Sequence, residues 1–165
     1  MIQPPKHFTP GDILRWRRVG GLVLAEVQFE AGQQIHREQH ARARFILVLK
    51  GALTEGDTTY GPSTLLFRRV DEPRSYAAAD RGATCLIVDM DAAWLERARQ
   101  QAPVLAQSTV FRRGLLLHLA HRLYGEFRLR DEVSRIAIES LTLGVLAEAS
   151  RRVAKADDQI GRAHV

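Results

Sequence analysis

The sequence predicts a mainly β domain followed by helices, and three observations carry that expectation. From Leu22 to about Asp89, short apolar and β-branched runs are separated by glycine or acidic turn residues at short intervals. After Asp91 the apolar residues recur every three or four positions instead. The chain has 165 residues, 45% of them hydrophobic and 26% charged, which is enough for one packed core and a small appendage. Many short antiparallel strands with no helix between them define a sandwich or a barrel.

Taken in order, the β region reads as six or seven strands. Leu22 to Phe29 puts Val23, Ala25, Val27 and Phe29 on one face, and Ala31-Gly32 breaks the run. Phe45 to Leu49 is apolar on both faces, as a strand between two layers would be, and it ends at Gly51. Ala52 to Glu55 and Thr58 to Tyr60 flank Gly56-Asp57, a hairpin turn in which glycine supplies positive φ. Thr64 to Phe67 follows, then a loop with Pro73, then Ser75 to Ala77. Ala83 to Met90, after the turn residues Asp80-Arg-Gly, closes the set.

The helical part divides into three. Asp91 can cap a short helix from Ala92 to Gln101, which Pro103 ends. Ser108 or Thr109 can cap a second helix to about Tyr124, where Leu115, Leu119 and Leu123 recur beside Leu116 and Ala120, and Gly125 then stops it. The third runs from near Asp131 to about Ala154, with acids at its positive end and Arg151 and Arg152 at its negative end. Its stripe is Val133, Ile136 or Ala137, Ser140 or Leu141, Gly144, and Ala147 or Glu148, and the small residues would let another helix approach. Helices of this kind either cover the sheet or form an association surface; association is the favoured reading. Its residues would be Leu115, Leu119, Leu123, Val133, Ala137, Leu141 and Gly144.

Composition excludes several classes of function. The longest apolar runs stop after five residues, far below the roughly 20 that span a bilayer, and the N-terminus carries no secretory signal, so a cytoplasmic protein is expected. One cysteine, Cys85, supports neither an internal disulfide nor a structural zinc site, and in its apolar run it reads as a core residue. The net charge of +5 comes mostly from arginines scattered in pairs, which describes a solvated surface rather than a nucleic-acid face. No nucleophile elbow or phosphate loop occurs, and His118 and His121 read as helix-surface histidines. Catalysis has no visible residues to carry it.

The segment richest in polar groups is Gly32 to Gly51. His36, Glu38, His40 and Arg44 share parity, so in an extended chain they project to one side, which could be the interior of a barrel. The alternative is a set of ordinary exposed ion pairs.

The order of features from Gly32 through Phe45-Ile-Leu-Val-Leu-Lys-Gly-Ala-Leu-Thr-Glu55, Ser63-Thr-Leu-Leu-Phe67 and Gly82-Ala-Thr-Cys-Leu-Ile-Val-Asp-Met90 resembles the cupin-like sensor domain of AraC-type transcriptional regulators. The resemblance covers Asp12 to about Ala154. It implies a jelly-roll barrel (double-stranded β-helix) over residues 1–90 and a helical dimerisation and linker region over 91–154. It also implies a C-terminal helix-turn-helix domain for DNA, for which too few residues follow the last helix. The implied function is effector sensing and dimerisation, with no enzyme activity and no cofactor.

A stand-alone cupin metalloenzyme or isomerase is the alternative. Laid on Gly51, the metal-binding cupin pattern puts Glu38 at the first histidine, His40 at the second, Arg44 at the glutamate and Arg74 near the third histidine, so only His40 matches. A guanidinium has no lone pair to give a metal. Arg44 and Arg74, with Glu38 and His40 beside them, suggest instead an anionic small-molecule effector, unless Glu38 neutralises one arginine internally.

The long helices and the linker from Gly125 to Arg130 argue against a helix-turn-helix in this chain itself. Residues 155–165 are expected to be a disordered tail. Ile160-Gly-Arg-Ala-His-Val165 back-translates to a sequencing-library adapter, which would make those residues an artefact of a truncated gene.

Overall fold

The computed structural model describes residues 11–36, 42–70, 72, 75–99, 101–102, 104 and 107–163. Among these residues, eight strands form one antiparallel sheet: β1 (Asp12–Val19), β2 (Leu22–Phe29), β3 (Gln34–His36), β4 (Ala43–Glu55), β5 (Thr58–Tyr60), β6 (Leu65–Arg68), β7 (Ser75–Met90) and β8 (Thr109–Phe111). Their order is β1-β2-β7-β4-β6-β8, with β3 also paired to β7 and β5 to β4. The Gly56-Asp57 hairpin forms as expected, with Gly56 at φ 59 and Glu55 opposite Thr58.

The spine of the sheet is the pairing of β4 with β7, which runs from Ala43 opposite Met90 to Thr54 opposite Ala77. Both strands are longer than expected, because neither Gly51 nor Asp80-Arg-Gly ends them. Register shifts at 48/50 and 51/53 bend the ladder where Gly51 pairs with Ala83, next to Gly82. Gly51 (φ 68) and Gly82 (φ 75) both need the left-handed region. A Cβ on Gly51 would overlap the Gly82 carbonyl, and one on Gly82 would lie 2.6 Å from the Phe29 carbonyl oxygen. Only glycine lets the two backbones meet at this corner.

The bend gives the sheet two apolar faces. Alternate residues of all eight strands meet in one interior cluster: Val23, Val27, Val48, Leu53, Leu66 and Cys85 are among its buried members, with Ile13, Ile35 and Val110 packed at its margin. The opposite face, including Leu24, Phe45, Leu47, Phe67, Leu86 and Val88, packs against the helices. Both faces of β4 are therefore filled, which explains the unbroken apolar run from Phe45 to Leu49.

The helices are α1 (Ala92–Arg99), α2 (Leu115–Arg128) and α3 (Glu132–Ala163). Asp91 caps α1, its Oδ1 accepting from the Trp94 amide at 2.8 Å. Four helical expectations need correction. Ser108 and Thr109 cap no helix: Thr109, Val110 and Phe111 pair with β6 as β8, a strand inside the stretch read as helical, and α2 begins only after Gly114 at φ 97. Gly125 does not stop α2, which continues until Phe127 is buried; that burial, about 2 to 3 kcal/mol, outweighs the glycine penalty of about 1 kcal/mol. The connection to α3 is then only Leu129 to Asp131. Finally, residues 155–163 continue α3, since no proline interrupts the helical run.

The short connection removes one argument against a helix-turn-helix, but the packing supplies a stronger one. Gly144 lies beside Leu119 and Arg152 beside Gly114, so α2 and α3 are antiparallel along the whole of α2 rather than crossed at a steep angle. Polar pins fix this hairpin to the sheet. Arg17 Nη1 donates to the Leu129 carbonyl and to Ser134 Oγ, both at 2.7 Å. Buried Glu26 accepts from the Tyr124 hydroxyl and pairs with Arg15 at 3.1 Å.

The corner predicts a contrast between two glycines in chemical denaturation. Gly51→Ala should lose about 2 kcal/mol or more, from backbone strain plus overlap. Gly56→Ala, in open space at a similar φ, should lose only about 1 kcal/mol.

Candidate functional site

The inward face carries charged residues in register. Arg44 alternates with the inward-facing Ile46 and Val48, Arg68 with Leu66, and Asp89 with Ile87 and Cys85. Arg44 stands directly opposite Arg68 on β6 and opposite Asp89 on β7. Two like charges side by side on adjacent strands repel unless acids intervene. Asp89, 0% exposed, supplies one: its Oδ1 lies 2.8 Å from Arg44 Nε, and its Oδ2 accepts from Nη2 at 3.0 Å.

Arg68 is more deeply enclosed, at 2% exposed. Its Nε donates to the Tyr76 hydroxyl and its Nη1 to the Phe67 carbonyl at 2.9 Å, while its guanidinium carbon lies 5.3 Å from the centre of the Tyr76 ring. Nη2 lies 3.8 Å from Glu55 Oε1, close enough for attraction but too far for a hydrogen bond. Among the described residues, Nη2 has no hydrogen-bond partner.

Two tyrosines complete this centre. The Tyr60 hydroxyl donates to Glu55 Oε1 at 2.9 Å, and the Tyr60 and Tyr76 rings meet edge to face with centroids 6.4 Å apart. Burial, and then the Glu55 hydrogen bond, push the Tyr60 hydroxyl above its usual range, so it remains a donor at neutral pH. The exposed Arg112 guanidinium lies 5.7 Å from the centre of the Tyr60 ring. The arrangement is a buried cation with a spare donor, a neighbouring acid and aromatic walls.

Of the effector residues expected from sequence, Arg44 lies in this inward row. Glu38, His40 and Arg74 lie outside the described residues. Asp89, Arg68, Glu55, Tyr60 and Tyr76 were not singled out. Strand parity could have found Arg68, which extends the Thr64 to Phe67 run on the same side as Leu66.

The expected association residues separate into two groups. Leu123 is 0% exposed inside the core between hairpin and sheet, so it is not available to a partner. Leu119 and Leu141 are half-buried against that same core, and the small Gly144 accommodates α2 of its own chain rather than a second molecule. Ala137 is half-buried. Leu115 and Val133 are exposed, as are Ile136, at 70%, and Leu143. The buried stripe of α3 is instead Ser134, Ile138, Thr142, Val145, Ala149 and Val153, turned by half the helix from the outward apolar one.

Other candidates behave as surface or core. His118 and His121 are exposed, and His121 Nε2 is 2.9 Å from Ser63 Oγ. Burial pushes the Cys85 thiol up to about 12, which leaves it unreactive. Among the described residues, no three histidine, cysteine or acidic side chains are grouped to hold a metal ion.

The fold is thus a jelly-roll β-barrel followed by helices, the architecture of AraC-like transcriptional regulators. Among solved structures, the AraC-like transcriptional activator CuxR matches with TM-score 0.58 and 18% identity, over 80% of this chain and 54% of that one. Apo ToxT K231A from Vibrio cholerae matches with TM-score 0.57 and 6% identity, over 80% and 56%. Wild-type ToxT bound to an unsaturated fatty acid matches with TM-score 0.57 and 10% identity, over 81% and 56%. The chain spans just over half the length of these regulators, and at such identities the likeness establishes the fold. No family model and no curated protein matches the sequence.

The Arg44 pair predicts a double-mutant signature. Asp89→Ala should destabilise the chain by about 3 to 5 kcal/mol, because it leaves a nearly buried guanidinium without its acid. Arg44→Met combined with Asp89→Leu should recover most of that loss in thermal unfolding.

Proposed function

We propose that this chain is the effector-sensing and association module of an AraC-type transcriptional regulator and is not an enzyme. The observation that carries the reading is the match of barrel and following helices together, over 80% of the chain, to AraC-like activators. A small molecule binds inside the barrel, where Glu38, His40, Arg44 and Arg74 are candidate contacts beside the Arg68 centre. DNA is read by a helix-turn-helix domain that would follow α3, in keeping with coverage of only 54 to 56% of the matched regulators. Such a regulator works in the cytoplasm; no helix among the described residues is long and apolar enough to cross a membrane.

The module associates as a homodimer through the outward stripe of α3. Val133 and Ile136 are about 70% exposed and Leu143 is 53% exposed, on the side away from the core. Leu115 at the start of α2 is a further exposed candidate, 58% accessible.

Two measurements test the proposal. In sedimentation at micromolar concentration the chain should be a dimer, and Val133→Asp with Ile136→Asp should make it a folded monomer; a monomeric wild type contradicts the association role. Joined to a heterologous DNA-reading domain, the chain should make reporter expression depend on an added metabolite. Indifference of the reporter to a broad metabolite panel contradicts the sensing role.

A further inference from the structure

We infer that the barrel reads a small monocarboxylate through Arg68, with Glu55 as the internal competitor that the ligand displaces; this rests on the sensor reading above. Three observations lead there. Arg68 Nη2 is an unmade donor on a side chain that is 98% buried, since two other guanidinium nitrogens are satisfied and this one is not. A buried donor left unmade is unfavourable, so a ligand oxygen placed there recovers free energy that is otherwise forgone.

Charge then selects the ligand. Among the described residues, Arg44 pairs with Asp89 and Arg68 faces Glu55, and Arg112 beside Tyr60 adds one further positive charge. One added negative charge brings this group to neutrality, whereas a dianion overshoots and a cation is repelled. The neighbouring inward residues Ile46, Leu66, Tyr60 and Tyr76 are apolar or aromatic, so the body of the ligand is small and apolar. Glu55 has a path out: its side chain is 24% exposed, against 1% for Arg68, so it can turn towards water while a ligand oxygen takes the free donor at Nη2.

The competitor gives the inference its signature. A carboxylate ligand and Glu55 repel each other across Arg68, so Glu55→Gln should bind the ligand more tightly. A neutral ligand bridging the two, accepting from Nη2 and donating to Glu55, should lose affinity in the same variant.

The experiment is calorimetric titration of the chain with butyrate and with benzoate, each against its amide. The acids should bind and the amides should not. Glu55→Gln should tighten acid binding by about tenfold. Arg68→Lys, which keeps the charge and removes the forked donor, should weaken it about tenfold or more. Circular dichroism and thermal unfolding establish that each variant is folded. Equal binding of acids and amides, or weaker acid binding in Glu55→Gln, overturns the inference in favour of a neutral ligand. Lack of binding by either acid at millimolar concentration, in both wild type and Glu55→Gln, also overturns it. In either case a metabolite response of the reporter hybrid would still uphold the sensor reading, so the two failures are distinguishable.

Discussion

The rest of the molecule depends on β4 lying beside β7 with both faces of the pair buried. Phe45, Leu47, Leu86 and Val88 serve the core shared with the helices, while Ile46, Val48, Cys85 and Ile87 serve the interior of the barrel. Side chains alternate along a strand, so a slip of one residue would exchange the two cores and put Arg44 and Asp89 under the helices. The glycine corner at 51 and 82 allows each strand to continue past the bend and contribute to both parts of the barrel. A charged residue in such a place survives only with a partner, and Arg44 has one directly across the ladder.

The same alternation gives the two faces of the sheet different contents. The inward row holds the guanidinium groups, and the outward row carries the helical hairpin. Between them lie the pins of β1 and β2: Arg17 holds the α2–α3 connection, and Glu26 holds Tyr124 from a strand whose other face lines the barrel. Burial, and then the hydrogen bond to Glu26, raise the Tyr124 hydroxyl above its usual range and keep it a donor in that pin. A change inside the barrel that moves β2 must move these pins as well, which links the barrel interior mechanically to the hairpin.

Much of the fold was legible in the sequence because period-2 and period-3.6 patterns are strong signals. The hairpin at Gly56, the two-sided burial of Phe45 to Leu49 and the Asp91 cap all follow from local chemistry. The errors arose where tertiary packing overrode it. Gly51 and Gly82 look like strand ends but serve as a corner, and Gly125 looks like a stop although Phe127 beyond it is worth burying. Thr109 to Phe111 looks like a helix start until β6 offers it a ladder. On α3 the apolar stripe beginning at Val133, favoured for association, is the legible one, whereas the inner face contains Ser134, Thr142 and Ser150. Ser134 and Thr142 donate locally, to the Asp131 and Ile138 carbonyls, and Ser150 Oγ accepts from the Val104 amide, so polar residues are buried there without appearing hydrophobic. Arg44 was recognisable from parity with its apolar neighbours. Arg68 was hidden because Arg68-Arg69 reads as a surface pair, although parity with the inward Leu66 turns the first of the two inward.

The most direct test of the central claim, that the inward guanidinium row is the sensing surface, is nitrogen NMR of arginine-labelled chain during titration with butyrate. The account predicts that the guanidinium signal of Arg68, assigned by its loss in Arg68→Lys, shifts and becomes protected from exchange while that of Arg44 stays tied to Asp89. An Arg68 signal that does not move while those of outward arginines do would contradict it.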